Sequence, residues 1–112
     1  MPKTTACIDL TLACSGYVYA LSTAYAYVSQ PTINKVLLLV GETFSQIVSK
    51  NDKVNLPLYG DAGTATIVSK GDYGKSQFNL YSDGSGFKSI HIPAGGARCP
   101  SSIETVKVRE ME

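Results

Sequence analysis

The sequence predicts an α/β fold, and three consecutive segments support this prediction. Residues 4–12 alternate apolar and polar side chains as a β-strand does, and residues 16–30 carry apolar side chains at the three- and four-residue steps of an amphipathic helix. Residues 35–40 then form the continuous apolar run of a buried strand. This order is typical of a sheet covered by helices. The chain of 112 residues is long enough for one core, so we predict a single domain over residues 1–112.

The junction between the first strand and the helix holds a cysteine, Cys14, in the sequence Ala-Cys-Ser-Gly. Backbone N–H groups and the positive end of the helix dipole stabilise a thiolate at such a position. The pattern therefore indicates a nucleophile. A small thiol at a strand–helix junction is also commonly a packing residue, so the position alone leaves both interpretations open.

The helix is expected to end before Pro31, because proline cannot continue a helix. The tyrosines of this helix could form a surface for stacking, but an aromatic-rich helix more often packs into the core, and we predict that role. The run KVLLLV that follows predicts a central strand, buried on both faces and ended by Gly-Glu.

The remainder of the chain predicts shorter elements. The glycine-rich sequence GDAGTA lacks the spacing of a phosphate-binding loop, so we interpret it as a close-packed turn that leads into a β-branched strand. The other predicted elements are a helical turn at 43–49, a loop at 51–55, strands at 77–81 and 89–92, and a charged segment without a packing partner at 103–112.

Composition excludes several classes of function. A formal net charge of +1 gives no reason to expect binding to nucleic acid or to a membrane. The chain has three cysteines without a CxxC motif and a single histidine, which supports neither a disulfide scaffold nor a metal site. No signal peptide and no apolar stretch of roughly 20 residues is present, so we expect a soluble, cytoplasmic protein.

Three spaced motifs carry a resemblance to a known family. The order ACSGYVYAL, KVLLLVGE and LYGDAGTATIV resembles the central part of 3-oxoacyl-ACP synthase III, a thiolase-fold condensing enzyme, and the later DGSG and PAGG sequences are similar to that family as well. The resemblance implies a partial thiolase-like fold: an incomplete N-terminal half, with a mixed sheet and helices packed on it.

The resemblance also implies a mechanism. Cys14 would be the catalytic nucleophile that takes the acyl group of an acyl-CoA, and the acyl-enzyme would then condense with malonyl-ACP to start fatty acid synthesis. No cofactor is expected, since acyl-CoA and malonyl-ACP are substrates. Tyr59 matches an aromatic position that borders the acyl pocket. Lys53 stands where these enzymes often have an arginine that helps to hold CoA, and lysine keeps the charge without the planar stacking.

Some residues that the family requires are not found at matching positions. The family's catalytic histidine and asparagine belong to a second half of the enzyme, whereas His91 lies in a predicted apolar strand and is interpreted as structural. Cys7 and Cys99 match no catalytic position. We therefore expect a fragment that turns over nothing alone.

Two strands of the family's sheet also have no counterpart in this sequence. The resulting gap predicts a homo-oligomer formed by strand pairing or swapping. Two alternatives remain open: a related condensing enzyme of another acyl-thioester pathway, and a noncatalytic α/β interaction module.

Overall fold

The computed structural model describes residues 2–72 and 74–109. The chain divides into two compact units, residues 1–79 and residues 80–112. The first unit contains helix α1 (Gly16–Val28) and strands β1 (Lys35–Glu42) and β2 (Ala62–Ser69), and the second contains helix α2 (Ile103–Arg109). Short 3₁₀ turns lie at Phe44–Gln46 and Phe87–Ser89. The fold is thus a small α/β structure, as predicted.

Helix α1 confirms the predicted helix, but the prediction that its tyrosines form a core face is wrong, because Tyr17, Tyr25 and Tyr27 are exposed. It ends at Val28, where the backbone N–H of Ser29 and its Oγ both donate to the Tyr25 carbonyl at 3.1 and 2.8 Å. These bonds satisfy a carbonyl that the helix itself leaves unpaired, and Pro31 follows two residues later. The helix buries a narrow stripe made of Ala20, Ala24 and Val28.

Strands β1 and β2 pair in antiparallel register along their full lengths, with Leu37 opposite Ile67. Alternate side chains of β1, including Val36, are partly buried on the face that carries the helix. The predicted strand at 35–40 is therefore confirmed, but its predicted burial on both faces is wrong. Within residues 2–72 and 74–109 the sheet has only two strands, so Leu37 and Leu39 stay 50% and 61% exposed.

The strand predicted at 4–12 is not formed. Residues 5–12 are irregular. Ile8, Leu10 and Leu12 are exposed, although they alternate as the side chains on one face of a strand do. A strand needs a hydrogen-bonded neighbour, and among the described residues the sheet offers none to this segment. Alternation alone cannot supply the missing partner.

The strands predicted at 77–81 and 89–92 are also wrong. Residues 77–81 are irregular, although the Phe78 ring packs edge-on against Tyr25 with centroids 5.3 Å apart. The second segment follows a 3₁₀ turn, and Ile90 and Ile92 are exposed. Apolar runs this short do not distinguish a strand from an irregular segment.

The second unit is built from local turns. The Gly95 N–H donates to the Cys99 carbonyl at 2.8 Å, and Gly95 has a φ of +115°, a conformation that favours glycine. The charged segment at 103–112 forms helix α2 over its described part. No helix in the described ranges has the length and apolar character needed to cross a bilayer.

Candidate active site

Cys14 lies in the turn that leads into α1, one residue before the N-cap Ser15. The Ala13 carbonyl accepts the Gly16 N–H at 2.7 Å, and this bond folds the chain around the cysteine. Its thiol is exposed and forms no disulfide. The structure thus places the predicted nucleophile in an exposed turn at the start of α1.

The N-terminal end of α1 leaves backbone donors near Cys14. The Ser15 carbonyl accepts the N–H groups of Val18 and Tyr19 at 3.1 and 3.3 Å, which starts the helical ladder, while the Ser15 side chain makes no capping bond. In the described part of the chain, the Cys14 N–H has no hydrogen-bond partner. Such N–H groups at a helix start are suited to bind developing negative charge.

The sheet holds the helix that carries the cysteine. Ala24 and Val28 of α1 form a buried cluster with Val68 of β2. Nearer to Cys14, the Tyr17 hydroxyl lies 3.4 Å from the Thr66 Oγ1, a long contact between the first turn of α1 and β2. The small alanine side chain lets the helix backbone lie close to the strands.

The other two candidate site residues lie on the long connection between β1 and β2. Tyr59 is half-buried, and its ring stacks on Phe44 with centroids 4.6 Å apart and an interplanar angle of 24°. Lys53 is exposed, and its ammonium group has no hydrogen-bond or ion-pair partner among the described residues. One aromatic face and one unpaired cation are thus presented by the same connection.

Two aspartates organise this connection. Asp61 accepts the Ser45 N–H at 2.8 Å on one carboxylate oxygen and the Ser45 hydroxyl at 2.5 Å on the other. Asp52 accepts the N–H groups of Val54 and Asn55 at 3.0 and 2.8 Å, together with the Asn55 side-chain amide at 2.7 Å. These donors favour the ionised form.

The pKa of each aspartate shifts accordingly. The hydroxyl and backbone N–H of Ser45 lower the pKa of Asp61, and the Asn55 backbone N–H lowers the pKa of Asp52, followed by the Asn55 side chain. Both carboxylates are therefore ionised at neutral pH.

The structure brings the predicted residues together only in part. Lys53 and Tyr59 share one connection, whereas no hydrogen bond or ring contact within residues 2–72 and 74–109 joins either of them to Cys14. Cys7 and Cys99 are exposed free thiols. His91 is exposed, with Nδ1 3.0 Å from the Lys88 carbonyl oxygen, rather than in the predicted apolar strand.

Sequence reasoning missed Ser45, Asp61 and Phe44. Asp61 stands in the glycine-rich turn, and its partner lies 16 residues earlier, a separation that no helix or strand period links. The one sequence signal for this contact was a polar residue in the predicted helical turn, Ser45, and an aspartate just before the predicted strand, Asp61. Among the described residues, no group of three or more histidine, cysteine, aspartate or glutamate side chains is placed to hold a metal ion.

Comparison with known proteins identifies the class as that of thiolase-fold condensing enzymes. Within this class, the family model described as 3-Oxoacyl-[acyl-carrier-protein (ACP)] synthase III matches residues 8–84, a range that includes Cys14, Lys53 and Tyr59. The chain belongs to the 3-oxoacyl-ACP synthase III family. The predicted resemblance and the partial thiolase-like fold are thereby confirmed.

Similar curated proteins carry the name beta-ketoacyl-[acyl-carrier-protein] synthase III. The protein of Chlamydia pneumoniae is 39% identical over 102 residues, which cover 88% of this chain and 30% of the relative. The protein of Fusobacterium nucleatum is 34% identical, and the match covers 93% of this chain and 32% of the relative. The protein of Syntrophomonas wolfei is also 34% identical, and the match covers 96% of this chain and 33% of the relative. The chain therefore spans about a third of the length of these relatives. No solved structure matches it.

Proposed function

We propose that this chain carries the acyl-accepting site of a 3-oxoacyl-ACP synthase III-type condensing enzyme, with Cys14 as the nucleophile. The observation that carries the proposal is the exposed Cys14 thiol at the start of α1, inside the range matched by the family. An exposed thiol next to unpaired backbone donors suits attack on a thioester carbonyl.

The first half-reaction is acyl transfer to sulfur. The Cys14 thiolate attacks the carbonyl carbon of an acyl-CoA, a carbon–sulfur bond forms, and the CoA thiolate leaves and takes a proton from solvent. The unpaired N–H of Cys14 donates to the oxyanion that forms on the carbonyl oxygen. Acyl-CoA is therefore the first proposed substrate.

The second half-reaction is the condensation that starts fatty acid synthesis. Malonyl-ACP loses carbon dioxide, the resulting carbanion attacks the acyl carbon, and the Cys14 thiolate leaves as the carbon–carbon bond forms. The histidine and asparagine that the family uses in this step have no counterpart among the residues matched here, and within the described ranges His91 is bonded only to its own turn. We accordingly propose that this chain performs the first half-reaction and requires further residues for the second.

Substrate binding is assigned to the connection between β1 and β2. Tyr59 presents a half-buried ring for the acyl chain, and the unpaired Lys53 ammonium is suited to the phosphates of CoA. Because an ammonium is a point charge without a planar face, Lys53 would hold phosphate without stacking on adenine.

We further propose that two copies of this chain associate. β1 and β2 each have only one strand neighbour in the described chain, and the face with Leu37, Leu39 and Ile67 is apolar and exposed. Open strand edges and a bare apolar face favour pairing with another copy.

The test of the proposed function is incubation with acetyl-CoA, followed by intact mass measurement and peptide mapping. We expect one acetyl group on Cys14, absent from the Cys14→Ala variant and retained in the Cys7→Ser and Cys99→Ser variants. All three thiols are exposed, so the two serine variants are matched controls. An adduct that persists in Cys14→Ala, or no adduct on a thiol shown to be free by alkylation, would contradict the proposal.

A further inference from the structure

The hydrogen bonds between Ser45 and Asp61 close the connection between β1 and β2 into a loop. The two residues are 16 positions apart, and both candidate substrate-binding residues, Lys53 and Tyr59, lie between them. A single side chain thus joins the beginning of the connection to its end. The other hydrogen bonds of the connection join residues close in sequence, so the two ends would otherwise be tied by ring stacking and by their attachment to the strands.

The closed loop is also ordered internally. The Phe44 ring stacks on Tyr59, which adds a second contact between the two ends of the connection, since Phe44 precedes Ser45 and Tyr59 stands two residues before Asp61. Further along, Asp52 bonds the backbone of Val54 on the far side of Lys53. Stacking therefore holds the Tyr59 ring, and the Asp52 turn orders the backbone on both sides of Lys53.

Ordering a loop before binding lowers the entropy that substrate binding must overcome. A loop that is closed in the free protein presents its binding groups in place, whereas an open loop has to be ordered by the substrate. The Ser45–Asp61 contact touches neither Cys14 nor, by assignment, the substrate. It should therefore influence substrate affinity more than the rate of the chemical step.

We propose that Asp61 is a positioning residue for acyl-CoA: through Ser45 it holds the loop 45–61 closed, so that Tyr59 and Lys53 are preorganised for the thioester substrate. This inference rests on the proposed function, because it assigns the loop to the same site as Cys14. It adds a residue that makes no contact with substrate and acts through the conformation of the loop.

Three variants separate the effect of the contact from that of the charge. Asp61→Ala removes both acceptors, while Asp61→Asn keeps an oxygen for the Ser45 N–H and an amide that can donate to the Ser45 hydroxyl. Asp83→Ala is the matched control, because Asp83 is an exposed aspartate that bonds only its own turn through the Ser85 N–H at 2.9 Å. A fourth variant, Ser45→Ala, removes the hydroxyl and keeps the backbone bond.

The first measurement reads the loop without any substrate. Trypsin cuts after Lys50 and Lys53, both inside the loop, and cleavage after the exposed Lys75 serves as an internal reference. We expect cleavage at the two loop sites, relative to Lys75, to rise several-fold in Asp61→Ala, to rise less in Ser45→Ala, and to stay at the wild-type rate in Asp61→Asn. Unchanged cleavage in Asp61→Ala overturns the proposal.

The second measurement follows acetylation of Cys14 against acetyl-CoA concentration. We expect Asp61→Ala to raise the half-saturating concentration several-fold with little change in the maximal rate, and Asp61→Asn and Asp83→Ala to behave as the wild type. A fall in maximal rate alone, or no rescue by asparagine, overturns the positioning role. If the wild-type chain takes no acetyl group, the proposed function fails and the substrate assignment fails with it. If the wild type and Asp61→Ala are acetylated equally at every acetyl-CoA concentration, only the positioning role is refuted.

Discussion

Ala24 of α1 and Val68 of β2 belong to one buried cluster, in which their side chains are 2% and 8% exposed. This cluster fixes α1 against the sheet, and the N-terminal end of the same helix carries Cys14. The position of the proposed nucleophile therefore depends on how closely a small side chain lets the helix approach the strands. Ala24, far from Cys14 along the helix, is thus a structural determinant of the site.

Replacing Ala24 by leucine should force the helix away from β2. Added methylene groups in a packed position typically cost about 1–3 kcal/mol, so the Ala24→Leu variant should unfold at lower urea concentration than the wild type. Ala26→Leu is the control, since Ala26 is exposed on the same helix and leucine is a good helix former. Urea denaturation followed by far-UV circular dichroism measures both. Equal midpoints for the two variants would show that the α1–β2 packing does not limit stability.

The contact between Ser45 and Asp61 should depend on pH. The Ser45 hydroxyl, and then its backbone N–H, lower the pKa of Asp61 by donating to the carboxylate. The ionised form therefore makes the stronger contact above the ordinary carboxyl pKa of about 3.9, and the contact weakens as the pH falls through the lower pKa of the folded state.

The Ser45 amide resonance reports this titration in proton–nitrogen NMR spectra. Its chemical shift should stay constant down to pH values below the ordinary carboxyl range and then move, and the movement should vanish in Asp61→Asn. The Ser85 amide, which donates to Asp83, should titrate alike in both proteins because that turn is independent of Asp61. A Ser45 amide that moves equally in the asparagine variant would contradict the assignment.

Elements that depend on local pattern could be predicted from the sequence, and elements that depend on a distant partner could not. The spacing of apolar residues gave α1 correctly, and the apolar run gave β1, because each pattern is contained in one segment. The strand at 4–12 failed for the opposite reason: its alternation is real, but no described strand pairs with it. The prediction that β1 is buried on both faces failed because such burial requires a layer of structure on each side of the sheet.

The candidate site divides in the same way. Cys14 could be placed at the start of a helix because the change of period from strand-like to helical marks the junction. The closure of the loop by Asp61 could not be predicted, since hydrogen bonds between residues 16 apart follow from the folded path of the connection. Likewise, nothing in the sequence indicates that Phe44 stacks on Tyr59.

Self-association should weaken when the exposed sheet face receives a charge. Ile67 is 70% exposed opposite Leu37, so Ile67→Lys puts an ammonium group on the face proposed to meet a second copy. Val54→Lys is the control, because Val54 is 73% exposed and belongs to the connection rather than to either strand. Sedimentation at low micromolar concentration should show association in the wild type and Val54→Lys and a shift toward monomer in Ile67→Lys. A monodisperse wild-type monomer would refute the proposed association.

The thiol of Cys14 should react faster than the other two cysteines. All three are exposed, so access does not distinguish them, but only Cys14 adjoins the N-terminal end of a helix of more than three turns. Reactive cysteines lie in exposed, electropositive surroundings, and the N-terminal end of α1 supplies such surroundings for Cys14. Limiting iodoacetamide at neutral pH, followed by peptide mapping, should label Cys14 several-fold ahead of Cys7 and Cys99. In about 8 M urea, which unfolds small domains, the three rates should converge, because the advantage comes from the folded helix. Preference for Cys14 that survives unfolding would assign the reactivity to its sequence neighbours instead.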